Sequence, residues 1–151
     1  MDLEGAYLED MEVGQQAISP GRTVTEADIV SFAGLSGDYN VVHTDAEHSK
    51  STVFGERIAH GLLGLSIASG LLMRAIPVEG TAEAFLGLEW KFKGPIKIGD
   101  TIRVKMKVVR KRPMKAMKGG IVDLDLSVVN QGDEVVQQGV WRILVRSRQE
   151  G

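Results

Sequence analysis

From Ala84 to Val145 the chain repeats one pattern four times, with apolar residues at every second position and turn-forming residues between the repeats. Ala84, Leu86, Leu88, Trp90 and Phe92 share one face, and Ile102, Val104, Met106 and Val108 share another. Val122, Leu124, Leu126 and Val128 make a third row, and Trp141, Ile143 and Val145 a fourth. Successive side chains of a strand point to opposite faces, so period two marks strands with one buried face. The interruptions run from Gly94-Pro95 to Gly99-Asp100, through Pro113 and Gly119-Gly120, and over Asn130 to Asp133, all rich in turn formers. Strands joined in this way pair antiparallel, and their apolar face has to be covered.

The chain offers one obvious cover. His60 to Ile76 is apolar nearly all round, with Ser66 and Ser69 inside it and Pro77 closing it. Such a run predicts a helix buried on most sides. Gly61, Gly64 and Gly70 weaken that helix but would let a neighbouring backbone come close. The economical architecture is therefore α+β, a long central helix wrapped by a curved antiparallel sheet. A length of 151 residues suits one domain, 1–151, and no repeat or linker divides it.

Upstream, a short strand is predicted around Gln16 to Thr23. A helix follows, opened by Thr25 with Asp28 three residues on, an arrangement like a capping box. Ile29, Phe32 and Ala33 keep helical spacing, and Gly34 and Gly37 end the run, which leaves Asp38 just past a helix end. Tyr39 to Ala59 is irregular and polar, the kind of long loop that compact domains keep when it carries a site.

Composition narrows the chemistry. There is no cysteine, which removes disulfides, thiolate catalysis and cysteine metal sites and suits a reducing cytoplasm. The opening MDLEGAYLEDMEV is acidic where a secretory signal is basic. The longest uncharged apolar stretch, Gly61 to Met73, has 13 residues, short of the roughly 18 that suggest a membrane span. Net charge is −2, yet Lys91 to Lys118 holds eleven basic residues against one acid, Asp100. That block reads as a solvated sheet face or as an attractor for a polyanionic ligand. Sparse aromatics, and the lack of any RNP-like strand or zinc finger, argue against nucleic acid.

No Walker loop, dinucleotide fingerprint or HExxH sequence is present. His43 and His48 are five residues apart in HTDAEH, not the i, i+4 spacing that shares a helical face, so no metal is expected. Neither GLSGD nor GLSIASG is a G-x-S-x-G nucleophile turn. What remains is Asp38, Asn40 and His43 in SGDYNVVH, and AHGL at the start of the apolar helix. Alone, Asp38 past a helix end reads as a turn residue. Beside a helix N-terminus it gains a partner, because the Gly61 amide is unpaired there and suits a developing oxyanion. A carboxylate and an imidazole around one water, next to such an amide, can add water to an activated double bond or remove it.

SGDYNVVHTD, followed some twenty residues later by IAHGLLGLSIASGLL, resembles the hydratase-2 motif of the MaoC-like, (R)-specific enoyl-CoA hydratase family, D-x-N-P-[IL]-H with a downstream A/V-H-G. YLEDMEVGQ, TVTEADIVSFAGLSGD and FKGPIKIGD are also similar to that family, so the likeness covers most of the chain. The resemblance implies a hot-dog fold, a homodimer joined edge to edge, and hydration of a trans-2-enoyl-CoA to an (R)-3-hydroxyacyl-CoA. It makes Asp38 and His43 the catalytic dyad and Gly61 the oxyanion amide. Asn40 matches the motif asparagine, and Ser69 a helix serine near the catalytic aspartate, with a bond back to its own helix as the plain alternative. His60 takes a supporting role. Val41 stands where the family usually has proline, which removes a fixed φ angle from the loop. No cofactor is implied, CoA being part of the substrate; Lys91 and Lys93 are candidates for its phosphates. Mesaconyl-CoA-type or acyl-carrier-protein-linked substrates, and a non-catalytic acyl-CoA binder, are the alternatives.

Overall fold

The computed structural model describes residues 5–149. Short strands β1 (Gln16–Ile18) and β2 (Arg22–Thr23) precede helix α1 (Glu26–Ser36), two single-turn helices α2 (Val41–Thr44) and α3 (Ala46–Ser49), and the long helix α4 (Gly61–Ala75). Four long strands follow: β3 (Ala82–Phe92), β4 (Thr101–Met114), β5 (Gly119–Val129) and β6 (Val135–Arg146). They form one antiparallel sheet in the order β1-β4-β5-β6-β3, with β2 also paired to β4. The fold is α+β, a six-stranded sheet with α4 packed against it.

The rows read from the sequence become the core. Ile102, Val104 and Val108 of β4 and Val122, Leu124, Leu126 and Val128 of β5 are wholly buried, together with Leu63, Ile67, Ala68, Leu71 and Leu72 of α4. Each such Val, Leu or Ile contributes about 1.5–3 kcal/mol by leaving water. α1 starts as its sequence predicts. The Thr25 hydroxyl accepts from the Asp28 amide, the Asp28 carboxylate accepts from the Thr25 amide at 2.9 Å, and Gly37 closes the helix at φ 78°. Only glycine enters that left-handed region at little cost.

Several expectations shift. The single strand over 16–23 divides in two, because Ser19-Pro20-Gly21 interrupts the ladder between β1 and β2. Gly119-Gly120 is not a turn but the start of β5; the turn is made by residues 115–117 and by Lys118 at φ 51°. On β3, Phe85 pairs with Ile143 and Leu88 with Trp141, with register shifts between 82 and 84 and between 85 and 87. The first shift reverses the facing of the residues beyond it and the second restores it, so Leu88 and Trp90 keep the predicted row. Phe85 therefore packs on Trp141, while Leu86 drops out of the predicted row and is exposed. β3 is also an edge strand, with Phe85, Leu86, Leu88 and Phe92 all exposed.

Among the described residues no helix is long and apolar enough to cross a membrane.

Candidate active site

The loop after α1 is built by short polar side chains capping their own backbone. The Asp38 carboxylate accepts from the Asn40 amide at 3.1 Å, and the Asn40 side chain accepts from the Val42 amide at 3.3 Å, which starts α2. Asp45 caps α3 in the same way, through the His48 amide at 2.9 Å. These caps are why a stretch without helical periodicity still forms two turns of helix. They also do what the missing proline at Val41 would do, holding the loop by side-chain hydrogen bonds. Asn40 is accordingly a cap whose side-chain oxygen is turned to its own helix.

His43 leaves α2 pointing inward and is buried. Its Nδ1 lies 2.7 Å from the Ile58 carbonyl oxygen, which can only accept. Nδ1 therefore carries a proton, and in the neutral ring Nε2 presents a lone pair. The Ile58 amide in turn donates to the Val42 carbonyl, and the Ala59 amide donates to the Ile96 carbonyl, so the segment entering α4 is tied both to α2 and to the connection between β3 and β4.

His60 is the N-cap residue of α4 and is 2% exposed. Its Nε2 donates to the Asp38 carbonyl at 2.9 Å, and its ring stacks on His43 with centroids 3.8 Å apart and an interplanar angle of 26°. Its Nδ1 is buried without a partner. One ligand-capable atom from each of Asp38, His43 and His60 falls within a 4.8 Å cluster. Asp38 faces solvent while the two imidazoles are buried, so the cluster is reached from the Asp38 side. Gly61 follows His60 directly as the first residue of α4, where an amide has no intrahelical partner.

A carboxylate with two imidazoles has the composition of a metal site, but the stack opposes it. Nearly parallel rings direct their in-plane lone pairs side by side, so one ion cannot lie on both axes at the usual distance of about 2.0–2.1 Å. The arrangement suits a water held between a carboxylate and a neutral imidazole.

The structure brings Asp38, Asn40, His43, His60 and Gly61 together and leaves Ser69 apart. The Ser69 hydroxyl donates to the Ser66 carbonyl at 2.6 Å, and eight residues of helix, roughly 12 Å, separate it from Gly61. Ser69 instead borders an apolar groove of about 570 Å³ between α4 and β3, lined by Leu65, Met73, Phe85, Leu88, Trp141 and Ile143 among others. The groove begins one turn along α4 from Gly61. Gln137 escaped the sequence reading. It lies in a run, Val135 to Gln138, with no clear alternation, and only its burial and bonds single it out.

Residues 10–130 match the MaoC like domain. The chain belongs to the MaoC-like family. Within that family it is 40% identical to the (R)-specific enoyl-CoA hydratase of Rhodospirillum rubrum over 76% of this chain and 77% of that protein. It is 32% identical to the 3-hydroxybutyryl-CoA dehydratase of Methylorubrum extorquens over 99% of this chain and 90% of that one. A Mycobacterium tuberculosis structure described as a double hotdog fold superposes with a TM-score of 0.86 over 100% of this chain and 47% of its own, at 19% identity. The MaoC-like fold is thus the hot-dog fold, with α4 as its central helix.

Proposed function

We propose that this MaoC-like protein, an enzyme of the hydro-lyase class, adds water to a trans-2-enoyl-CoA to give an (R)-3-hydroxyacyl-CoA, and catalyses the reverse dehydration. The observation that carries this reading is the convergence of Asp38, His43 and His60 within 4.8 Å beside the first residue of α4. Kinship to an (R)-specific hydratase and to a 3-hydroxybutyryl-CoA dehydratase supports it from a second side.

In this mechanism the water lies between the Asp38 carboxylate and His43 Nε2. His43 takes one proton from it, the oxygen bonds to C3, and the C2–C3 electron pair moves toward the thioester, whose oxygen gains charge. The Gly61 amide meets that oxygen, a donor of a type worth about 2.7–4 kcal/mol of barrier. The proton held by His43 then passes to C2, so one water is added and no electrons are exchanged. Asp38 orients the water and balances the imidazolium. Proton transfers of this kind contribute roughly 10²–10⁴-fold each. His60 and Asn40 hold the loop, and no metal or redox cofactor enters the scheme.

The acyl chain lies in the groove between α4 and β3, and the basic block, beginning with Lys91 on β3 and Lys93 just past its end, attracts the CoA phosphates. A homodimer through the unpaired edge of β3, and a cytoplasmic location, belong to the same proposal. The test mixes protein with crotonyl-CoA and longer or branched analogues, following loss of the conjugated thioester absorbance and the configuration of the product. Asp38→Asn and His43→Gln are expected to lower kcat by about 10²–10⁴-fold. Tight binding without turnover of any analogue favours the acyl-CoA binder, and equal rates in both variants remove the site assignment.

A further inference from the structure

Gln137 is a polar side chain only 2% exposed, near the start of β6. Its Oε1 accepts from the Trp90 indole nitrogen at 3.0 Å, and its Nε2 donates to the Gly61 carbonyl at 3.0 Å. The orientation of the amide follows from chemistry, since an indole N–H only donates and a carbonyl only accepts. Turned the other way, Gln137 would lose both bonds at once. The Gly61 carbonyl keeps a second lone pair for its helical partner, so the contact costs α4 nothing.

The surroundings are cut to admit this side chain. A Cβ on Gly64, one turn along α4, would overlap Gln137 Nε2 and lie 2.7 Å from Ile96 Cδ1. A Cβ on Gly139 would overlap the Glu89 carbonyl and lie 2.8 Å from the Trp90 ring. A Cβ on Gly61 would lie 2.9 Å from the Phe92 ring, which closes the same corner from β3. Glycine at 64 and at 139 leaves room for the Trp90–Gln137–Gly61 connection. The expectation that glycines in α4 admit a neighbouring backbone is corrected here: side chains fill the space at Gly61 and Gly64, and nothing lies near Gly70.

We propose that Gln137 is a positioning residue for hydration, holding the first turn of α4 against β3 and β6 so that the Gly61 amide faces the thioester oxygen. The inference rests on the function proposed above and adds to it a residue outside the motif and the loop. An amide at a helix start is otherwise free to fray, because no intrahelical bond holds its own N–H. Fixing the carbonyl of the same residue removes that freedom. A displacement of about 1 Å in an aligned site can cost 10²-fold in rate, so a small relaxation of the turn is enough to be measured.

The test is Gln137→Met, which keeps length and burial and removes both hydrogen bonds. Its kcat for crotonyl-CoA is expected to fall roughly 10–100-fold with KM unchanged. In an Asp38→Asn background, bound 2,4-hexadienoyl-CoA reports polarisation of the thioester as a red shift of its absorbance, and Gln137→Met is expected to diminish that shift. A wild-type kcat and an intact red shift in folded Gln137→Met overturn the proposal. A lower kcat with the red shift intact also overturns it, because the loss is then general. If Gln137→Met does not fold, Trp90→Phe decides: it keeps a ring and releases Gln137, and should show the same split at several-fold. An unchanged kcat and shift in Trp90→Phe overturn the proposal. Wild-type protein with neither hydration nor a red shift overturns the parent reading instead.

Discussion

His43 and His60 lie face to face, ring centroids 3.8 Å apart, and each is anchored by one nitrogen to a backbone carbonyl, His43 to Ile58 and His60 to Asp38. His60 thereby touches all three parts of the proposed site: the Asp38 backbone, the His43 ring and, as its chain neighbour, Gly61. His60→Phe keeps a ring for the stack, removes the buried unpaired Nδ1 and leaves the Asp38 carbonyl without its donor. Losing a buried orphan that costs about 1–3 kcal/mol offsets the one hydrogen bond lost at exposed Asp38, so the melting temperature should change little. Hydration should nonetheless slow by roughly 10–100-fold as the Asp38 loop loosens. Parallel melting curves and crotonyl-CoA kinetics check this, and an unchanged kcat makes His60 a core residue only.

Gly64 and Gly70 share one helix and predict opposite responses to alanine. At Gly64 a Cβ meets a Gln137 side chain that is locked at both ends, so overpacking of about 1–3 kcal/mol outweighs a helix-propensity gain of up to about 1 kcal/mol. At Gly70 nothing lies within 4 Å, and only the gain is left. Thermal or urea denaturation should show Gly64→Ala destabilised and Gly70→Ala equal to or above the parent.

Gly70 also lines the groove between α4 and β3. Gly70→Leu fills that groove without touching the dyad, so crotonyl-CoA turnover should persist while kcat/KM for octenoyl-CoA falls by about tenfold or more. Equal losses for both substrates, or none for either, would place the acyl chain elsewhere.

Asp123 on β5 is buried beside its cross-strand partner Arg142 on β6, whose guanidinium donates to it at 2.9 and 3.2 Å. The Arg142 hydrogen bonds, partly opposed by burial, hold its carboxyl below the usual carboxylate range. A depressed folded-state pKa gives stability that is present above the unfolded value of about 3.9 and is lost as pH falls through the folded value. Asp123→Asn should therefore melt below the parent at neutral pH, and the gap should close as pH drops from about 4 downward. A gap independent of pH would assign the effect to packing.

The site was legible where its chemistry is local. Asp38, Asn40 and His43 lie within six residues, and the caps made by Asp38 and Asn40 each span two positions, so sequence spacing already encodes that part of the geometry, while the His43 ring is held by Ile58, 15 residues on. Ser69 takes its plain alternative, a bond back to its own helix; the sequence left both open because residue type names a hydroxyl and not its partner, and a helix always offers a carbonyl three or four residues back. Gln137 stayed hidden for the opposite reason. Its partners are 47 and 76 residues away, and nothing in Val135 to Gln138 states that a glutamine there is buried.

Period-two rows, a helix apolar all round and the turn formers between them determined the layers of this protein, because burying one face of four strands against one helix has few solutions. The motif residues determined which end of that helix carries the proposed site. Tertiary structure alone decided the bulge that turns Phe85 toward Trp141, the stack of His43 on His60, and the reach of Gln137 to Gly61. Each of these depends on the register and distance between elements far apart in the chain, and strand pairing sets those quantities only after the sheet has closed over the helix.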